Sequence, residues 1–229
     1  MAEGQWVIQE IHQRGSSLLL RVPANQGGKL DAGQYFQVYA PGYGEPVAVP
    51  LFLAGDNQTW RELTGEFPAY WNPGVQLNWR GPLGRSFKMP LKARKIALVP
   101  GTGLDLALLP LIAQALQRDA AVVWGSRQVP NDLPASVEVL PPEILTEIYH
   151  WADYLALIVS PDQLDNLPTQ LGMVADVNLA CRVEVLVHTV MACGGVAECG
   201  VCAVKSRRGC RLACKDGPVF DLTELDLGW

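Results

Sequence analysis

Short apolar runs set off by polar turn clusters occupy the chain from Gly4 to about Pro90 and read as β. Trp6-Val7-Ile8, Ser17–Val22 and Tyr35–Tyr39 are rich in β-branched and aromatic residues, and turn clusters such as Asn25-Gln26-Gly27-Gly28 and Ala40-Pro41-Gly42 separate them. Further strands are expected over Val47–Leu53 and Val75–Trp79. About five or six short strands in so small a span predict a closed antiparallel barrel, because closure removes exposed sheet edges.

The rhythm changes near Lys92. Lys95–Val99 reads as a buried parallel strand, and the turn Pro100-Gly101-Thr102-Gly103 follows it. Leu104–Arg118 reads as an apolar helix that Pro110 kinks or restarts. Ala120–Trp124 is a second buried strand. Val137–Leu140, Glu143–Trp151, Tyr154–Val159, Asp162–Leu171 and Arg182–Val187 then continue as strand, helix, strand, helix, strand. That alternation predicts a parallel sheet covered by helices. The expected fold class is α+β multidomain: an antiparallel β-barrel over residues 1–91, an α/β parallel-sheet domain over residues 92–187, and a small cysteine-rich lobe over residues 188–229.

Composition narrows the function classes. Apolar residues make up 49% of the 229 positions and charged ones 18%, so a sizeable core is available and disorder is not expected. A net charge of −5, spread along the chain, leaves no basic patch for nucleic acid and no polybasic anchor. No apolar run approaches the roughly 20 residues of a membrane-spanning helix. The stretch MAEGQWVIQE lacks the charged and apolar regions of a secretory signal, so a cytoplasmic protein is expected.

Five of the six cysteines fall between Met191 and Asp221, in MACGGVAECGVCAVKSRRGCRLACKDGPVFD. Without a secretory signal, such clustering favours metal over disulfides. Cys193, Cys199, Cys202 and Cys214 read as ligands of one centre, since soft iron–sulfur iron prefers thiolate and a [2Fe–2S] cluster takes four. Three come from a glycine-rich loop containing Gly194, Gly195 and Gly200. The fourth stands just before the turn signal Lys215-Asp216-Gly217. Their spacing, C-x5-C-x2-C with a later cysteine, is one residue longer in its first gap than the plant-type ferredoxin pattern. A structural zinc also accepts four thiolates, and disulfides are the third reading. Cys181 reads as a core cysteine, His188 as a strand-end histidine and Cys210 as a non-ligand that a local shift could exchange with Cys214.

MACGGVAECGVC followed by ACKDGPVFDLTEL resembles the cluster segment of the electron-transfer subunit of dihydroorotate dehydrogenase, a member of the ferredoxin-reductase superfamily. The DGPVF ending is the most specific part, and it implies Cys214 rather than Cys210 as fourth ligand. Ala32-Gly33-Gln34-Tyr35-Phe36 is similar to the family's PGQF strand. Gly81-Pro82-Leu83-Gly84 with Phe87 is similar to its GPLG loop, Gly101-Thr102-Gly103-Leu104 to its GTGI turn, and Ser160-Pro161 to its late Gly-Pro. The resemblance implies a flavin-binding-type barrel (residues 1–91), an NAD-binding-like α/β domain (92–187) and an iron–sulfur [2Fe–2S] cluster lobe (188–229), in that order. It also implies FAD beside the cluster, exchange with a nicotinamide carrier, NAD(P), and a separate FMN-bearing catalytic subunit in a hetero-oligomer.

The residues fit these implications unevenly. Relatives hold FAD on an R-P-x-S-like strand, and here the matching stretch is Val49-Pro50-Leu51-Phe52, without the arginine or the hydroxyl. The nearest phosphate turn is at Gly65, followed by Glu66. Arg61, Arg80 and Arg85 are alternative partners for a pyrophosphate. Gly101-Thr102-Gly103 has the right context for a nucleotide phosphate, but Asp105 follows closely. Trp60, Trp71 and Trp79 read as barrel core more readily than as flavin stacking partners. Val196, Ala197, Val201, Val219 and Phe220 are expected to form an apolar docking surface around the centre. The rival functions are an NAD(P)H–ferredoxin-type reductase subunit and a flavin-less structural or assembly subunit that keeps the fold.

Overall fold

Inward-facing apolar positions select the strands, and the first seven make one antiparallel sheet. The computed structural model describes residues 2–15, 17–42, 47–101, 103–173 and 179–228. The strands are β1 (Ala2–Val7), β2 (Glu10–Arg14), β3 (Ser17–Pro23), β4 (Tyr35–Tyr39), β5 (Val49–Asp56), β6 (Trp60–Thr64) and β7 (Gln76–Leu83). Their order is β1-β7-β4-β5-β6-β3-β2. The two ends of that order are consecutive pieces of chain, separated only by Ile8 and Gln9. Ile8 N–H donates to Val75 O at 3.0 Å, and Gln9 N–H donates to Arg21 O at 2.9 Å. One bent strand thus pairs first with β7 and then with β3, and the sheet closes into a barrel.

Aromatic residues fill the barrel. Trp6 lies 4.8 Å from both Phe36 and Trp79 between ring centroids, and Phe36 meets Trp79 edge-on at 5.2 Å. Trp71 and Trp79 are buried in this core, whereas Trp60 is half-buried with the Arg21 guanidinium 4.4 Å above its ring. Strand β6 is missing from the sequence reading because Arg61 and Glu62 stand at its centre. Both are buried. Arg61 pairs with Asp56 at 3.0 Å and donates to Gly28 O and Gln26 O, while Glu62 accepts from Arg21 at 2.9 Å and faces His12 and Arg14. Charges leave water only when partnered this fully.

A second sheet follows, with strands β8 (Lys95–Val99), β9 (Ala121–Gly125), β10 (Val137–Leu140), β11 (Tyr154–Val159) and β12 (Arg182–Val187). They are parallel, in the order β10-β9-β8-β11-β12. The helices between them are shorter than the alternation suggests. Helix α1 (Leu109–Leu116) is preceded by a 3-10 turn at Asp105–Leu108, so Pro110 resets the start of the expected single helix. Helices α2 (Leu145–Trp151) and α3 (Leu167–Gln170) likewise follow 3-10 turns that begin at Pro142 and Pro161. Proline lacks an N–H to donate and is therefore tolerated in a first turn.

The rest of the chain makes a hairpin of β13 (Ala203–Ser206) and β14 (Gly209–Leu212), a single turn α4 (Ala213–Asp216), and β15 (Val219–Asp221). Strand β15 adds antiparallel to β12, with Val185 opposite Phe220. This corrects one expectation. Val219 and Phe220 belong to no exposed docking surface; they are buried, because a strand on the sheet edge turns its apolar residues into the core. One continuous core joins Tyr35, Phe52 and Phe87 of the barrel side to the parallel sheet and to Phe220, Leu222 and Leu225. Replacing Phe220 by Ala should therefore cost about 3–5 kcal/mol in chemical denaturation. A loss below about 1 kcal/mol would show that β15 is not integral to that core.

Candidate metal centre

Leaving β12, the chain is pinned where His188 N–H donates to Val159 O at 2.8 Å, and Met191 is buried as an anchor. The loop that follows carries Cys193, Cys199 and Cys202. It turns through left-handed backbone at Gly194, Gly195, Ala197 and Gly200. At Gly195 the reason is visible. A Cβ there would stand 3.1 Å from Leu83 and 3.2 Å from the Tyr35 hydroxyl, so only a bare Cα lets the loop lie on the barrel.

The hairpin decides which later cysteine joins them. Ala203 pairs with Leu212 at its base, and Ala213 N–H donates to Cys202 O at 2.9 Å, so Cys202 and Cys214 become neighbours. Cys214 N–H points at the Cys202 sulfur at 3.5 Å. Cys210 pairs with Lys205, next to the far turn, and is exposed. The thiols of Cys202 and Cys193 lie within hydrogen-bond reach of Cys214, and that of Cys199 within reach of Cys193. Four sulfurs are therefore brought together, and Cys210 is carried away from them.

Their surroundings are asymmetric. Cys202 and Cys214 are buried, Cys193 is half-buried and Cys199 is exposed. Burial, followed by the Cys202 and Cys193 thiols, pushes the Cys214 thiol up to about 12. At Cys193 burial also raises the thiol, but backbone N–H groups of Glu198, Cys199 and Ala197 and the Cys199 thiol outweigh it and bring it down to about 6. Donation from several N–H groups to one sulfur is what a thiolate ligand needs. Among the described residues no set of three or more His, Cys, Asp or Glu side chains is grouped to hold a single metal ion.

Barrel residues that the sequence reading did not assign to the centre complete this neighbourhood. The Tyr35 hydroxyl donates to Cys214 O at 3.0 Å, Gln37 Nε2 to Met191 O at 3.4 Å and the Arg80 guanidinium to Gly194 O. Burial, and then the thiols of Cys214, Cys202 and Cys193, push the Tyr35 hydroxyl well above its ordinary range, and Arg80 opposes them. Cys181 lies apart in the sheet core, its thiol raised to about 12 by burial and by Asp153.

The positions read for flavin and nucleotide are built differently. Val49 and Pro50 line a cavity of about 340 Å³ together with Val47, Glu66, His188 and Met191. Leu51 and Phe52 of the same strand are buried, and Phe52 packs 5.6 Å from the Tyr35 ring. Gly65 presses on β5, where a Cβ would meet Pro50 O at 2.7 Å. Burial lowers the His188 imidazole and Glu66 opposes this. The arginines offered as pyrophosphate partners are engaged elsewhere: Arg61 with Asp56, Arg85 with Glu224 at 2.8 Å, and Arg80 with Gly194. Gly101 ends β8, where a Cβ would collide with Ile158 O at 2.4 Å, and Gly103 lies beside Glu66. Thr102 is outside the described residues. A cavity of about 370 Å³ sits here between β8 and β11, where the strand order reverses, as in open α/β folds. Its charged lining residue is Glu143, already paired with Arg127. Asp105 accepts from the Ser17 hydroxyl at 3.2 Å, which ties the α/β layer to the barrel and keeps its charge out of that cavity.

With the geometry in place, the comparisons fall into line with it. Residues 188–226 match the family described as the iron–sulfur cluster binding domain of dihydroorotate dehydrogenase B. The cysteine lobe is thus similar to cluster-binding domains of this type. Along most of its length the chain is similar to the dihydroorotate dehydrogenase B (NAD(+)) electron transfer subunit of Clostridium perfringens, at 24% identity over 86% of this chain and 88% of the relative. Among solved structures, an NADH-dependent reduced ferredoxin–NADP oxidoreductase superposes with a TM-score of 0.76 at 15% identity, covering 97% of this chain and 90% of that one. Phthalate dioxygenase reductase, described as modular for electron transfer from pyridine nucleotides to [2Fe–2S], gives 0.55 at 12% identity over 93% and 78%. The fold is that of the ferredoxin reductases. No helix among the described residues is long and apolar enough to cross a membrane.

Serine at position 193, 199, 202 or 214 should abolish or sharply weaken iron and sulfide incorporation, because a hydroxyl is a poor substitute for thiolate. Serine at 181 or 210 should leave it intact. Full loading of a Cys214→Ser protein together with loss in Cys210→Ser would reverse the assignment of the fourth ligand.

Proposed function

We propose that the chain is an electron-transfer subunit similar to that of dihydroorotate dehydrogenase B. In this reading it passes single electrons, through a [2Fe–2S] cluster held by Cys193, Cys199, Cys202 and Cys214, between an FMN-bearing catalytic partner and a nicotinamide or other carrier. The observation that carries the reading is the convergence of these four sulfurs, with N–H groups of the loop directed at Cys193. Bound there, a [2Fe–2S] cluster supplies one-electron transfer. The chain's own residues do the rest. The hairpin base and Ala213 shield Cys202 and Cys214 from water, while Cys199 stays at the surface, so the centre has one dry side and one accessible side.

FAD is the second cofactor that the resemblance brings. The cavity beside Val49 offers an apolar surface for its ring from Pro50, Val190 and Met191, with His188 and Thr189 alongside. It offers the diphosphate no cation and places Glu66 in the lining. FAD is therefore proposed as a weakly held cofactor, and no step is derived through it. Val49→Arg combined with Glu66→Gln should raise flavin affinity about tenfold, the effect of one added charge-assisted hydrogen bond. Unchanged binding in a fluorescence titration would mean that this strand does not face the diphosphate.

The accessible side of the centre is also apolar. Val196 and Val201 are 45% and 56% exposed on the cysteine loop, and Val190 is exposed just before it. An apolar rim around a redox centre fits a water-excluding interface with the catalytic partner. Val196→Asp or Val201→Asp should weaken the hetero-oligomer by about tenfold or more without removing the cluster, each placing an unpaired charge in the contact. Size-exclusion chromatography of the native assembly reads this. A stable native monomer that neither substitution affects would contradict the subunit reading.

A further inference from the structure

Three barrel side chains reach carbonyls of the cysteine segment: Gln37 at Met191, Arg80 at Gly194 and Tyr35 at Cys214. They stand on the adjacent strands β4 and β7, with Gln37 opposite Arg80 and Tyr35 opposite Leu83, so they form one row beneath the loop. Gly195 lies flat on that row, its missing Cβ 3.6 Å from the Arg80 guanidinium. Two members of the row are neutral. Arg80 alone brings a charge.

Among the described residues that charge has no ion-pair partner. Arg61 and Arg85 are neutralised by Asp56 and Glu224, whereas the contact recorded for the Arg80 guanidinium is a carbonyl oxygen. Its cross-strand neighbour Glu3 is exposed and forms no ion pair with it among the described residues. Arg80 is itself half-buried, which limits screening by solvent. The Gly194 carbonyl that it holds belongs to the residue directly after Cys193.

We propose that Arg80 is a positioning residue that sets the reduction potential of the centre formed by Cys193, Cys199, Cys202 and Cys214, with Tyr35 and Gln37 fixing the two ends of the segment on the barrel. This rests on the cluster reading given above. Reduction adds one electron to a site already carrying four thiolates. A cation close by that no described carboxylate neutralises favours the reduced, more negative form and raises the potential. Arg80 thereby makes the centre a better electron acceptor without ligating it, and the barrel acquires a role in electron transfer apart from any flavin.

The test is a redox titration of the full chain followed by electron paramagnetic resonance, with iron and sulfide measured in each protein. Arg80→Gln should load the cluster and shift its reduced-to-oxidised ratio about tenfold toward oxidised at a fixed ambient potential, equivalent to about 59 mV for one electron. Arg80→Lys should keep that ratio within about threefold of wild type, because the cation remains although its planar fork is lost. Fully loaded Arg80→Gln with the wild-type potential overturns the assignment. Equal shifts in both variants also overturn it, since they would report loop shape and not charge. If Arg80→Gln loads no cluster, Arg80→Lys decides: loading with a near-wild-type potential supports the proposal, and failure to load assigns Arg80 to folding. A wild-type chain without iron and sulfide overturns the underlying reading and the assignment together, whereas loaded variants with an unchanged potential overturn the assignment alone.

Discussion

Bringing four thiols together is the constraint on which the rest of the lobe depends. Neutral buried thiols tolerate one another, but thiolate ligands repel, and a segment this small cannot bury enough apolar surface to hold them by itself. The chain meets this with three devices. The β13–β14 hairpin sets Cys202 beside Cys214, left-handed glycines let the loop direct N–H groups at Cys193, and β15 fastens the segment to the sheet edge at β12. Tyr35, Gln37 and Arg80 then press the loop onto the barrel. The lobe has its own sequence family, yet it shares its core with both sheets.

This sharing bears on what the barrel is for. In a ferredoxin-reductase fold the strand matching β5 would carry an arginine and a hydroxyl, and here Phe52 uses its place to pack on Tyr35 while Val49 merely lines a cavity. The arginines nearby serve ion pairs or the cysteine loop. The barrel's polar contacts with the cysteine segment come from the row on β4 and β7. In the proposed reading, a barrel of this fold holds the cysteine segment in place through that row.

Much of the architecture was legible in the sequence because strand alternation, buried parallel runs and glycine turns are local signals. Lys95–Val99, Tyr154–Val159 and Arg182–Val187 were read as strands with the boundaries the structure gives them. Of the elements that were not read, two were hidden for plain physical reasons. Strand β6 carries Arg61 and Glu62 at its centre, and only their buried partners make a strand of that polarity stable. Strand β15 is three residues long, and Val219 and Phe220 look like loop-side apolar residues until their pairing with β12 is known. The row on the barrel was beyond local reading, since Tyr35 and Cys214 are 179 positions apart and Gln37 and Met191 are 154 apart. The one available hint was an arginine standing directly before the Gly81-Pro82-Leu83-Gly84 turn.

The central claim is that the four sulfurs of the C-terminal lobe hold a two-iron cluster. Metal and acid-labile sulfide analysis of protein purified without oxygen, with a paramagnetic resonance spectrum after reduction, tests it most directly. The account predicts about two iron and about two sulfide per chain and a signal carrying one unpaired electron per cluster. A colourless protein that contains about one zinc and no sulfide would contradict it.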